Sequence, residues 1–192
     1  MPIDIKPLTP EMALDFVQYF ESQDFEHAPH WATCYCRYYH TSCTQQEWTT
    51  HSGMQNRAEA IAAIEKGEMG GYLAYEGGQC IGWCNATDMS LYPRLAEARA
   101  ELPSDWKVGV VICFVIHREH RGRGVARLLL LRAVDDFRAK GYDAVMALPF
   151  DLPGNKQKQY RGTLNMFVEN GFTQWKQEDG VHTMVLRLRD EQ

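Results

Sequence analysis

The chain has 192 residues, 45% of them hydrophobic and 23% charged, which fits one soluble globular domain (1–192) with a single substantial core. Its 20 basic and 25 acidic residues give a formal charge of −5, so general binding to nucleic acid or to an anionic membrane has no global electrostatic support. No apolar run reaches the length of a membrane span, and the N-terminus lacks the layout of a signal peptide. Six cysteines without such a signal predict reduced thiols in a cytoplasmic protein.

In chain order, Ile3 to Lys6 predicts a short strand. Thr9 as N-cap with Pro10 at the first helical position predicts a helix to about Phe20. Glu21 to Ser42 is rich in aromatics and cysteine and has no clear period. Thr44-Gln-Gln-Glu47 reads as a capping box, and Asn56 to Lys66 carries helical periodicity through Ala60, Ile61 and Ile64, ending at Gly67. Gly71 to Tyr75 and Gln79 to Cys84, around Gly77-Gly78, read as a hairpin. A short helix is expected within Tyr92 to Leu102, before a central strand from Val108 to Ile116. Val125 to Lys140 predicts a long helix stopped by Gly141, and Asp143 to Leu148 the next strand. A helix over Thr163 to Asn170, stopped by Gly171, leads into a closing hairpin of Phe172 to Trp175 and Val181 to Leu188. The order β-α-α-β-β-β-α-β-α-β-β describes an α/β fold with a mixed sheet (α+β in the wider sense), undivided by any repeat or linker.

The junction between central strand and long helix is the most informative segment. Glycines in Arg121-Gly-Arg-Gly124-Val-Ala126 let the backbone curl so that several N–H groups converge. The helix N-terminus and the forked arginine donors then favour a phosphate or pyrophosphate there. The spacing is neither a Walker loop nor a dinucleotide fingerprint, because no Gly-Lys-Ser/Thr follows and Arg127 stands where a third glycine belongs. It matches the Arg/Gln-x-x-Gly-x-Gly/Ala signature and resembles the GNAT superfamily of acyl-CoA-dependent N-acyltransferases. Met166 to Phe172 is similar to that superfamily's helix ending in Gly-Phe. Shorter stretches, among them Trp31 to Cys36 and Tyr160 to Thr163, look similar to a bacterial branch of it.

The resemblance implies a GNAT-like fold and acetyl-CoA as co-substrate without a metal. Acetyl-CoA would be held by Arg121, Gly122, Arg123, Gly124, Val125 and Ala126, and polarised by backbone N–H groups near Phe114, Val115 and Ile116. Such oxyanion donors are worth about 3–4 kcal/mol each. The family helix often carries a tyrosine that protonates the departing thiolate. The matching position here is Phe167, which has no proton to give, so it is left as a cofactor contact and Tyr160 is the expected donor. Val110 to Cys113 supply no carboxylate base. Asp88 is the leading alternative, with Glu119 and His117 behind it, and no single base is expected to be indispensable.

Trp31 and Tyr35, with Tyr38, Tyr39 and Trp48, are expected to wall the acceptor opposite Asp88, and Trp83 to join them. Such a wall suits an amine with an apolar or flat body. Cys34, Cys36, His40 and Cys43, near His27, His30 and His51, invite a zinc reading, but a one-residue gap strains two ligands on one tetrahedral ion, so packed thiols are expected. The expected activity is acetyl transfer to an amine of a small molecule or peptide, by a chain acting alone or as a homodimer. A non-catalytic acyl-CoA sensor and a thiol- or metal-based interaction module are the alternatives.

Overall fold

The computed structural model describes residues 2–26, 28–150 and 156–189. Their strands are β1 (Ile3–Pro7), β2 (Gly71–Glu76), β3 (Gln79–Asp88), β4 (Val108–Ile116), β5 (Ala144–Ala147), β6 (Thr173–Glu178) and β7 (Val181–Arg187). They form one seven-stranded sheet in the order β1-β2-β3-β4-β5-β7-β6. β4 and β5 run parallel, while the neighbours on either side pair antiparallel. A parallel pair needs a crossover, and the long helix provides it.

Helices α1 (Ala13–Glu21) and α3 (Gly53–Glu65) lie on one face, burying Phe16, Val17, Ala60 and Ile64 against the sheet. The long helix α5 (Val125–Ala139) and the short α6 (Leu164–Glu169) lie on the other; α2 (Gln45–Trp48) and α4 (Ala96–Ala100) are brief turns in connections. In α5 the buried set Val125, Leu129, Leu130, Ala133, Val134 and Phe137 is a stripe at helical spacing. β4 is covered on both faces, which explains its unbroken apolar run.

The expected order holds, with local differences. Pro10–Met12 forms a 3-10 turn before α1, and Thr9 makes no side-chain cap. α3 starts at Gly53, capped by Ser52 Oγ, which accepts from Gln55 N at 3.1 Å. The capping box at Thr44 and Glu47 forms both of its bonds. β3 continues to Asp88, and its register with β4 breaks on the way. Asn85 pairs with Cys113 and Ala86 with Val111, so Ile112 is an extra residue in β4. That bulge puts Ile112 and Cys113 on the same face. The ladder to β5 ends at the same level, with Val111 opposite Ala147.

A polar knot ties the aromatic segment to β3. Asn85 is wholly buried; its Nδ2 donates to Cys36 O at 3.3 Å, and its Oδ1 accepts from the Tyr92 hydroxyl at 2.8 Å. His40 spans the gap, with Nδ1 2.9 Å from Leu91 O and Nε2 3.2 Å from Asn85 Oδ1.

Two stability effects follow. A Cβ at Gly109 would lie 2.7 Å from three ring carbons of buried Phe137. Gly109→Ala is expected to cost about 1–3 kcal/mol, read as a lower urea midpoint; an unchanged midpoint would contradict this packing. Burial pushes the His40 imidazole down to about 4. The folded chain then binds fewer protons than the unfolded one, whose histidine titrates near 6.5. This contribution is therefore present above about pH 6.5 and lost as pH falls toward 4. Urea midpoints measured from pH 7 to pH 5 should fall, and fall less steeply in His40→Gln; parallel slopes would sink the assignment.

Candidate donor and acceptor sites

Beyond β4 the chain makes a 3-10 turn at Arg118–His120 and enters the glycine loop. Gly122 and Gly124 have φ of +73° and +80°, a left-handed region that side-chain-bearing residues rarely adopt. Gly124 is the N-cap of α5 and offers no side chain to the first-turn N–H groups, which therefore remain open to an anion. The loop's arginines differ in their commitments. Arg118 pairs with Asp24 at 3.1 Å, and Arg123 grips Glu76 with a fork of 2.8 and 3.1 Å. The Arg123 guanidinium holds the half-buried Glu76 carboxyl below its ordinary range. Arg121 uses Nε on Ile116 O at 3.1 Å, and of these three it alone lacks a carboxylate partner among the described residues.

Phe114, Val115 and Ile116 lie past the last β4–β5 pair, beside this loop. A cavity of about 610 Å³ reaches the same strand, where Cys113 and Val115 line it and Asn85 joins them from β3. Its wall is aromatic. Trp31 meets Tyr160 edge-on at 5.3 Å between centroids, and Phe150 lies 6.4 Å from Tyr160 on another side. Tyr38 packs edge-on against both Tyr39 and Trp48, at 5.0 and 5.4 Å.

Two phenols converge in that wall. The Tyr39 and Tyr160 hydroxyl oxygens are 3.4 Å apart. Arg161 donates from Nε to Tyr160 at 3.3 Å, from Nη1 to Leu148 O at 3.2 Å and from Nη2 to the Tyr39 hydroxyl. Burial pushes the Tyr39 hydroxyl well up against the opposing pull of the Arg161 charge, so it stays a proton-bearing phenol.

Of the residues singled out in the sequence, Trp31, Tyr38, Tyr39, Trp48, Val115 and Tyr160 line the cavity. Tyr35 does not: it is buried against Phe20 at 5.8 Å, with its hydroxyl 3.5 Å from the Glu21 carboxylate. Trp83 does not line it either. It is wholly buried, edge-on to Phe16, and its Nε1 donates to Cys36 Sγ at 3.2 Å, so no ring surface is left for a substrate. Asp88 does not face the aromatic wall. It accepts from Ser90 N at 2.9 Å and Ser90 Oγ at 2.6 Å, capping the turn that follows β3. Burial raises the Asp88 carboxyl, but the bonds from Ser90 and Tyr142 outweigh it and hold the group below its ordinary value.

Phe167 is wholly buried, edge-on to Phe172 at 5.2 Å, and so is a packing residue. The Phe114 and Val125 side chains join the same cluster under α5, with Ala126 and Ile116 against its edge; any contact of Phe114 with a ligand is through backbone. His117 caps its own turn, Nδ1 accepting from Glu119 N at 3.4 Å, and neither residue lines the cavity. Sequence reasoning missed Asn85, Cys113 and Arg161. Only Arg161 left a signal, as the cation directly after Tyr160.

The cysteine segment is a set of packed thiols. All six cysteines are free. Cys36 Sγ lies 3.5 Å from Cys113 Sγ, and burial pushes the Cys36 thiol well up and the Cys34 thiol up to about 12, which leaves both protonated and unreactive. Among the described residues no group of three His, Cys, Asp or Glu is placed to hold a metal; His27 lies outside them. None of the described helices is long and apolar enough to cross a membrane.

The fold agrees with comparisons to known proteins. The chain is similar to a GNAT acetyltransferase from Streptococcus pneumoniae, with 15% identity, a TM-score of 0.56, and 97% of this chain and 99% of that one covered. PaiA N-acetyltransferase of Thermoplasma acidophilum, solved in complex with coenzyme A, gives 13%, 0.56, 97% and 99%. YncA of Salmonella typhimurium, a putative acetyltransferase solved with acetyl-CoA, gives 17%, 0.55, 100% and 97%. Identities this low speak for the fold alone. No protein of curated function matches the sequence. The profile of the acetyltransferase (GNAT) family matches residues 25–159, well over half of the chain, and the chain belongs to that family.

Proposed function

We propose that the protein binds acetyl-CoA at the Arg121–Ala126 loop and transfers the acetyl group directly to an amine nitrogen. The observation that carries this reading is a left-handed glycine loop at an uncapped helix N-terminus, beside a strand that has just lost its parallel partner. The loop suits a pyrophosphate. The unpaired edge of β4 suits the pantetheine arm and the thioester carbonyl, with the backbone N–H groups of Phe114 to Ile116 as its polarising donors. PaiA and YncA, with coenzyme A and acetyl-CoA in their structures, are consistent with that use.

In the reaction the amine lone pair attacks the thioester carbon, the N–C bond forms and the C–S bond breaks. One amine proton is lost and the thiolate gains one. Tyr160 is the proton donor to sulfur in this reading, held in place by Arg161 and Tyr39. With Asp88 turned away and no strand carboxylate, nitrogen loses its proton through hydroxyls or water rather than to a dedicated base. Every group named comes from one chain, so the chemistry requires neither a second copy nor nucleic acid nor a membrane. Six unpaired thiols suit a reducing compartment such as the cytoplasm. Phe167, where the family often has tyrosine, favours a second reading in which the chain binds acyl-CoA without turning it over.

Calorimetric titration of the native protein with acetyl-CoA should give one saturable site. Arg121→Ala removes a charged hydrogen-bond donor and is expected to weaken binding about 10- to 100-fold; no binding by folded native protein would sink both readings. Tyr160→Phe should lower kcat about 100-fold or more with little change in KM, measured as free coenzyme A released with an acceptor present. Unchanged kcat would remove Tyr160 from the proton path, and no release with any amine would leave the sensor reading.

A further inference from the structure

We propose that the acceptor is an aromatic amine whose nitrogen is conjugated with its ring, so that it enters the cavity as a neutral base; this rests on the acetyl-transfer reading above. The first argument is charge. None of the described residues lining the cavity is Asp, Glu, Lys or Arg. An alkylammonium would leave water for a wall with no anion among its described residues, a costly step. Asp88, the carboxylate expected opposite the wall, is spent on the Ser90 turn.

The second argument is that four of the lining rings already have a guanidinium group beside them. Arg94 lies 4.1 Å over the Tyr38 ring; Arg161 lies 4.0 Å over Phe150 and within 5.7 Å of the Tyr39 and Tyr160 centroids. Arg161 makes no ion pair among the described residues, and Arg94 is bound to Cys43 O and Thr41 Oγ1. Cation–π attraction draws on the negative face of a ring, and here guanidinium groups hold it, so a further cation meets repulsion. A neutral flat body keeps the stacking and edge contacts without that penalty.

The third argument is the missing carboxylate base: among the described lining residues only histidines, cysteines and tyrosines can titrate. An alkylamine with a lysine-like pKa near 10.4 is only about 0.04% neutral at pH 7, so it needs a group to take its proton before attack. An arylamine carries its lone pair free at pH 7. After its nitrogen bonds to the acetyl carbon, the adduct's N–H proton can replace the one Tyr160 gives to sulfur. The products are an N-acetyl arylamine and coenzyme A, and the proton count closes with no carboxylate. The volume of about 610 Å³ lies within the ordinary range for small-molecule sites.

The test pairs two acceptors of one size on the native protein: aniline, neutral at pH 7, and benzylamine, a cation there. Free coenzyme A is measured at saturating acetyl-CoA, after calorimetry has shown that acetyl-CoA binds. Aniline is expected to exceed benzylamine in kcat/KM by at least tenfold at pH 7. Its value should change less than threefold from pH 7 to 9, because aniline stays neutral across that window while an alkylamine near 10.4 gains free base about tenfold per unit. Gln45→Glu adds one carboxylate to the wall at a helix N-terminus that tolerates it, and should raise the benzylamine-to-aniline ratio several-fold. Benzylamine preferred, with a rate climbing about tenfold per pH unit, would overturn the proposal and leave acetyl transfer standing. Acetyl-CoA binding without turnover of either amine would overturn it too, and absence of binding would remove it together with the reading it rests on.

Discussion

One extra residue in one strand organises both candidate sites. Because Ile112 has no partner on β3, the side-chain alternation of β4 skips a beat, and Cys113 and Val115 turn to the face where the aromatic segment lies. The same irregularity coincides with the end of the β5 ladder, so main-chain groups that a regular strand would consume stay available. A regular β4 would bury these groups in sheet. The glycine loop sits where it does because β4 ends where it does.

The second constraint acts from the opposite side. Tyr35 and Cys36 are consecutive non-glycine residues with φ of +43° and +52°. Conformations of this kind cost free energy and persist only where surrounding contacts over-determine them. Those contacts are visible: Trp83 donates to Cys36 Sγ, Asn85 donates to Cys36 O, and the Tyr35 ring packs on Phe20. The residues that looked like binding groups in the sequence, Tyr35 and Trp83, instead hold the backbone that aims Tyr38 and Tyr39 at the cavity.

The difference between what the sequence disclosed and what it hid follows physical range. Local signals were legible: the apolar run of β4, the stripe of α5, the glycines at 122 and 124 and the capping box at Thr44 all rest on neighbours within a few positions. The bulge at Ile112 was not, because it is defined by the pairing of residues on separate strands. Asp88 is a mixed case: its partner Ser90 lies two positions on, whereas Tyr142 comes from beyond α5. A buried asparagine such as Asn85 gives no sign in sequence; its value depends on meeting Cys36, His40 and Tyr92 in space. Aromatic residues were the hardest to divide, because one ring chemistry serves both core and wall.

The Arg123–Glu76 fork has a further consequence. Glu76 is the last residue of β2, directly before the Gly77-Gly78 turn, so the ion pair fastens the glycine loop to the tip of a hairpin distant in sequence. Arg123 thus braces the loop through a guanidinium that Glu76 already engages. The geometry of the first hairpin turn thereby becomes part of the donor site, although no atom of that turn need touch the donor.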